Sequence, residues 1–168
     1  MEFVDGKAGT SSKANTNATA DPENAFKRDL ASWTSGKNAM GLGPKNMPFP
    51  HLIWYDFVNR RVSPIRVSLR ADQNGGDSAN NTSWFNGPTK WQFIGSNDDI
   101  CNEKSSWTTL CEDLSGEKLK RKTEMKLCHV IGTTAAFQCL GISVLDAPNE
   151  SESKAIISTI RMWENGKW

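Results

Sequence analysis

Apolar and polar side chains alternate along Lys90-Trp-Gln-Phe-Ile-Gly-Ser-Asn97, with Trp91, Phe93 and Gly95 on one side and Lys90, Gln92 and Ile94 on the other. A period of two is the mark of a strand with one buried face. Gly95-Ser-Asn-Asp98 ends it, because Gly and Asn adopt positive φ at little cost. Ser106-Trp-Thr-Thr-Leu110 is a second aromatic piece. Two such pieces joined by a polar loop predict part of an antiparallel sheet.

The rest of the chain repeats this short-period pattern. His51 to Phe57 is a predicted strand carrying Ile53, Trp54, Tyr55 and Phe57. Val62 to Leu69 alternates through Val62, Ile65, Val67 and Leu69, with Pro64 at an early, edge-compatible position. Phe137 to Leu145 and Ala155 to Trp163 are the last predicted strands. Asp21-Pro-Glu-Asn-Ala-Phe26 predicts one turn of helix, since Asp caps a helix start and Pro fits its first turn. Residues 1–19 are small and polar, so they predict a partly ordered segment or one edge strand before a single domain over 20–168. Short strands separated by turn signals, without long helical periodicity, predict an all-β sandwich or jelly roll.

Three connections stand out. Gly36 to Pro50 is a Gly- and Pro-broken loop that also carries Met40, Leu42, Met47 and Phe49. It either folds back to plug one end of the sandwich or presents an apolar tip to a partner or membrane. Asp72 to Pro88 is a long polar loop with Trp84 and Phe85 near its end, and loops of that length in compact domains usually serve function or are disordered. Leu114 to Leu127 is rich in Lys and Arg and reads as a solvated strand or connection.

The chain has 168 residues, enough for one domain with a sizeable core. Its net charge of +1 argues against a non-specific nucleic-acid binder. No apolar run is long enough to span a bilayer, and no secretory signal is visible at the start. Seven Trp and seven Phe against one Tyr supply large amphipathic rings suited to β-cores and binding surfaces. Cys101, Cys111, Cys128 and Cys139 lack the paired spacing of a zinc site. Three disulfide pairings are open, of which the sequential one is geometrically easiest, and free buried thiols are the alternative. Asn17, Asn80, Asn81 and Asn149 begin N-x-Ser/Thr triplets in stretches read as loops, which points toward an extracellular or cell-surface origin.

An ordered set of motifs resembles the discoidin, or coagulation-factor type C, domain. It runs through Asn24-Ala25-Phe26, Trp33-Thr-Ser35, Pro50 with Tyr55-Asp56-Phe57, and Val67-Ser-Leu-Arg70. It continues through Trp91-Gln-Phe-Ile-Gly-Ser-Asn97 and Trp107-Thr-Thr-Leu110 to Ile157-Ser-Thr-Ile-Arg-Met-Trp163. The resemblance implies a galactose-binding-like jelly roll of about eight main antiparallel strands that binds without catalysis, through loops at one end. It implies galactose-type glycans, anionic phospholipid head groups, collagen or other proteins as ligands. Several positions depart from it. Lys27 and Thr159 stand where many glycan-binding members supply acidic ligands to a structural calcium, so no cofactor is expected, with Asp29 as a weak alternative metal ligand. Gly141 stands where many members carry an Arg, Leu52 replaces a usual Trp, and the chain ends lack the family's common Cys pair.

No catalytic constellation is evident, and the protein is read as a non-enzyme. Glycan recognition needs an aromatic face for sugar C–H groups and planar polar side chains for hydroxyls. Trp84, Phe85 and Asn86 offer both, with Arg70 and Asp72 opening the same loop and His51 at the same end. These are the candidate ligand contacts for a glycan or an extracellular protein. The alternatives are a phospholipid surface met by Met40, Leu42, Met47 and Phe49, and an intracellular assembly module.

Overall fold

The computed structural model describes residues 3, 6–11, 21–26, 33–34, 49–70, 87–118, 125–132, 135–147 and 155–165. Its elements in order are β1 (Lys7–Thr10), α1 (Glu23–Phe26), β2 (Trp33–Thr34), β3 (His51–Asp56), β4 (Pro64–Arg70) and β5 (Lys90–Ser96). There follow β6 (Thr108–Asp113), β7 (Lys126–His129), β8 (Cys139–Asp146), β9 (Ile156–Ile157) and β10 (Thr159–Glu164). A five-stranded antiparallel sheet has the order β1-β3-β8-β5-β6 and faces a three-stranded sheet β10-β4-β7. A two-stranded ribbon joins β2 to β9. The result is a jelly-roll β-sandwich, and its eight longer strands are β1, β3 to β8 and β10. The stretch expected as one final strand divides at Ser158 into β9, which pairs with β2, and β10, which pairs with β4.

The alternation read from sequence has a packing cause. Trp91 and Phe93 of β5 are wholly buried, as are Ile53 of β3 and Leu140, Ile142 and Val144 of β8. They meet Val67 and Leu69 of β4 and Ile160 and Met162 of β10 across the sandwich. Burying each such side chain favours folding by about 1.5–3 kcal/mol. Phe3, Phe26, Tyr55 and Phe57 extend this layer, with ring centroids 4.9 to 6.2 Å apart along Phe3–Phe26, Phe3–Tyr55 and Phe3–Phe57.

The outer face of the larger sheet is covered too. Trp54 points away from the core and packs with Cys101, Cys139, Leu52 and Trp107. Its centroid lies 6.1 Å from that of Trp107, whose Nε1 donates to the Asn102 carbonyl at 3.1 Å. Trp54 pairs in register with Gly9 of β1 on one side and Gly141 of β8 on the other. A Cβ on Gly9 would collide with the Trp54 indole, and one on Gly141 would stand 2.6 Å from the Ile53 carbonyl and 2.9 Å from Trp54 Cβ. The flanking glycines therefore make room for the indole.

All four cysteines are paired, as Cys101–Cys139 and Cys111–Cys128. This corrects the sequential pairing and the free thiols. Cys101 sits in the β5–β6 connection beside the start of β8, so Cys139 is its spatial neighbour. Cys111 of β6 and Cys128 of β7 face each other from the edges of the two sheets. There Lys126 Nζ also meets Asp113 Oδ2 at 3.0 Å. Burial works to raise the Asp113 pKa, but hydrogen bonds from Ser115 and the Lys126 ammonium outweigh it and hold the carboxyl below its ordinary 3.8.

Two expected outcomes test this packing. Gly141→Ala should lower the unfolding free energy by about 1–3 kcal/mol, as overpacking does, read from urea denaturation midpoints; an unchanged midpoint would contradict the Trp54 contact. Asp113→Asn should destabilise by on the order of 1 kcal/mol at neutral pH. A depressed folded pKa gives stability that is full above about 3.8 and lost as pH falls below it. The melting-temperature gap between Asp113→Asn and the parent should therefore close on acidification, and a pH-independent gap would refute the assignment.

Candidate functional site

Strand direction sorts the connections into two ends. The 57–63 connection, the 97–107 connection and the turn before β8 share the lower end, where Val62 bridges Phe137 and Phe57 donates its N–H to the Gln138 carbonyl. There Asn97 accepts from the Gln138 N–H and donates to the Ala136 carbonyl, both at 3.0 Å, and Gln138 Nε2 reaches Asp56 at 3.4 Å. Asp98 Oδ2 accepts the Ser106 N–H at 2.8 Å. The polar groups of the loop after β5 thus satisfy one another, which explains the Gly95-Ser-Asn-Asp98 chemistry as turn-making. Asp56, Cys101 and Cys139 approach closely enough to suggest a metal site, but both sulfurs are committed to the disulfide.

At the upper end stand the start of β3, the end of β4, the start of β5 and the end of β8. Thr89 donates its N–H to the Asp146 carbonyl at 2.9 Å, and Lys90 Nζ lies 3.8 Å from Asp146 Oδ2. Arg70 and Gly87, the described residues on either side of positions 71–86, both stand at this end. Gly87, Pro88 and Thr89 are buried, so the chain is firmly seated where it enters β5. His51, the first residue of β3, shares the end but is 1 % exposed and points between the sheets, on the side of Ile53 and Tyr55. Its ring meets that of Phe49 edge-on at 4.6 Å, and the intervening Phe49–Pro50 peptide is cis. Phe49 packs against the core.

Arg70 faces elsewhere. It points outward from the smaller sheet and lines a shallow recess, too small to enclose a water molecule, with Ser68, Met125, Thr159 and Arg161. Thr159 is thus buried on the outward face of β10. The structure therefore brings His51 and Phe49 together and separates them from Arg70. Trp84, Phe85, Asn86, Asp72, Met40, Leu42, Met47, Lys27 and Asp29 lie outside the described residues, as do Asn17, Asn80, Asn81 and Asn149. His129 sits at the lower end of β7, away from His51. Sequence reading missed the outward face of the smaller sheet. Its signal was present in Arg66, Arg70 and Arg161, which alternate with the buried Val67, Leu69, Ile160 and Met162.

No protein-family model and no curated protein sequence matches the chain. Solved structures do. A family 32 carbohydrate-binding module from C. perfringens NanJ, solved in complex with galactose, aligns with a TM-score of 0.63 at 12% identity, covering 95% of this chain and 94% of that one. A third family 32 module from a family 31 glycoside hydrolase of Clostridium perfringens gives 0.69 at 16% identity over 98% and 94%. The family 32 module of AlyQ, in complex with 4,5-unsaturated mannuronic acid, gives 0.61 at 13% identity over 97% and 98%. At such identities the likeness carries the fold alone: this chain has the jelly-roll β-sandwich of these family 32 carbohydrate-binding modules.

Proposed function

We propose that this chain is a non-catalytic glycan-recognition module that grips sugars with the loops at its upper end. The observation that carries this reading is where the chain is held on either side of residues 71–86. Arg70 ends β4 of the smaller sheet, and the buried Gly87 leads into β5 of the larger sheet, at the end where β3 begins and β8 finishes. A connection whose two ends are held by a rigid scaffold suits binding, since the residues between can vary without loss of the fold. The three residues before Gly87 in sequence are Trp84, Phe85 and Asn86. An indole face suits sugar C–H groups and a primary amide suits vicinal hydroxyls.

The fold neighbours support the same reading, as two of those three were solved with a sugar or sugar acid bound. Cys101–Cys139 and Cys111–Cys128 suit an oxidising, extracellular setting, where sugar chains on cell surfaces or in matrix are the available ligands. The ligand set includes galactose-type glycans, and no resident cofactor is required.

Trp84→Ala is expected to abolish binding on an array of neutral mammalian and bacterial glycans while the melting temperature stays within a few degrees of the parent. The array is read with calcium and with chelator, and binding should be the same in both. Undiminished glycan binding by Trp84→Ala would refute the assignment of this loop, and absence of any glycan binding by the parent protein would refute the function.

A further inference from the structure

The outward face of the smaller sheet is unlike the rest of the surface. Strand alternation, fixed by the buried Val67, Leu69, Ile160, Met162 and Cys128, turns Arg66, Ser68 and Arg70 of β4 outward. It does the same for Thr159, Arg161 and Trp163 of β10 and for Leu127 and His129 of β7. In register these form rows: Trp163 beside Arg66 beside His129, then Arg161 beside Ser68 beside Leu127, then Thr159 beside Arg70. None of these outward positions is Asp or Glu. In a chain whose net charge is +1, three guanidinium groups are thus gathered on one small face.

Two details point to a ligand. The Arg66 guanidinium carbon lies over the Trp163 ring, 3.9 Å from its centroid. That contact holds the planar fork in one orientation, which suits bidentate capture of a carboxylate or sulfate. Among the described residues, Arg66 Nε has no hydrogen-bond partner. Ser68 lines the recess with Arg70, Met125, Thr159 and Arg161, and it is 1 % exposed. Its Oγ also lacks a partner among the described residues. A buried hydroxyl without a partner costs stability unless something supplies one.

We propose that this sheet face is a second binding surface, for an acidic polysaccharide bearing carboxylate or sulfate groups. Arg66 and Arg161 clasp successive anionic groups, and Ser68 and Thr159 meet the intervening hydroxyls. Arg66 and Arg70 stand about 13 Å apart along β4, at roughly 3.3 Å per residue. That row accommodates a chain of anions rather than a single ion. A lipid bilayer fits less well, because bilayer binding asks for protruding apolar tips beside cations. Here the cations stand on a sheet face around a recess lined by hydroxyls. The proposal does not rest on the loop reading, since none of its contacts comes from residues 71–86.

Affinity electrophoresis in gels containing polygalacturonate, dextran sulfate or neutral dextran tests the proposal, with the carboxylate and sulfate arms telling the two anions apart. The parent protein should be retarded by at least one acidic polymer and not by dextran, less so as salt rises. Arg66→Gln with Arg161→Gln should weaken retention about tenfold or more, as loss of two charge-assisted contacts does. Arg161→Gln alone, at an exposed position, should weaken it in the same direction and guards against a folding defect. Trp84→Ala should be retarded like the parent, so failure of the loop site and failure of this face are distinguishable. Lys7→Gln with Lys104→Gln removes equal charge elsewhere and should change nothing. The proposal is overturned if neither acidic polymer retards the parent, or if the lysine pair weakens retention as much as the arginine pair. It is likewise overturned if the arginines matter only for binding to phosphatidylserine vesicles.

Discussion

Strand β8 is the constraint on which the sandwich rests. It lies in the middle of the larger sheet, hydrogen-bonded to β3 on one side and β5 on the other. Cys139 to Val144 are buried, because the core covers its inner face and the Trp54 cluster its outer face. That double burial requires a residue without a side chain where β8 passes Trp54, and Gly141 supplies it. With β8 fixed, β3 and β5 are fixed in register. The rims they share become the two ends on which the loops are mounted.

The two ends differ in what their polar groups do. At the lower end, Asn97, Asp98, Gln138 and Asp56 are occupied with backbone groups and with one another, and Cys101–Cys139 ties the loop to β8. That end holds itself together. At the upper end the strands finish on a short rim, with Thr89 and Lys90 tied to Asp146, and Arg70 and Gly87 flank residues 71–86 there. The polar groups of the lower end are thus occupied within the fold, and the glycan site we propose lies at the other end. The cationic sheet face adds a third surface, set by strand alternation alone rather than by loops.

Much of this was legible in sequence because it follows from periodicity. The period-two run from Lys90 gave β5, the alternation from Val62 gave β4, and Asp21-Pro22 gave the single turn of α1. What periodicity could not carry was anything that depends on which strands become neighbours. Cys101 with Cys139 and Cys111 with Cys128 are non-sequential because the sheet order brings β8 beside β5 and β7 against β6. His51 is legible as a strand start but not as a core residue, since burial of its ring depends on Phe49 and on the opposite sheet. Arg70 was visible as the end of a strand, whereas its outward direction and its company with Ser68 and Arg161 arise only from the β4–β10 pairing. Gly141 looked like a missing functional Arg and is instead the space that Trp54 needs.

The account's central claim is that one end of a rigid sandwich grips sugar while the other only holds itself together. A two-dimensional amide NMR titration with a galactoside tests it most directly, because it reads both ends in one experiment. The account predicts shifts concentrated at His51, Gly87, Thr89 and Asp146, with Asn97, Trp107 and Gln138 unmoved. Shifts centred on Asn97, Trp107 and Gln138 instead would contradict it.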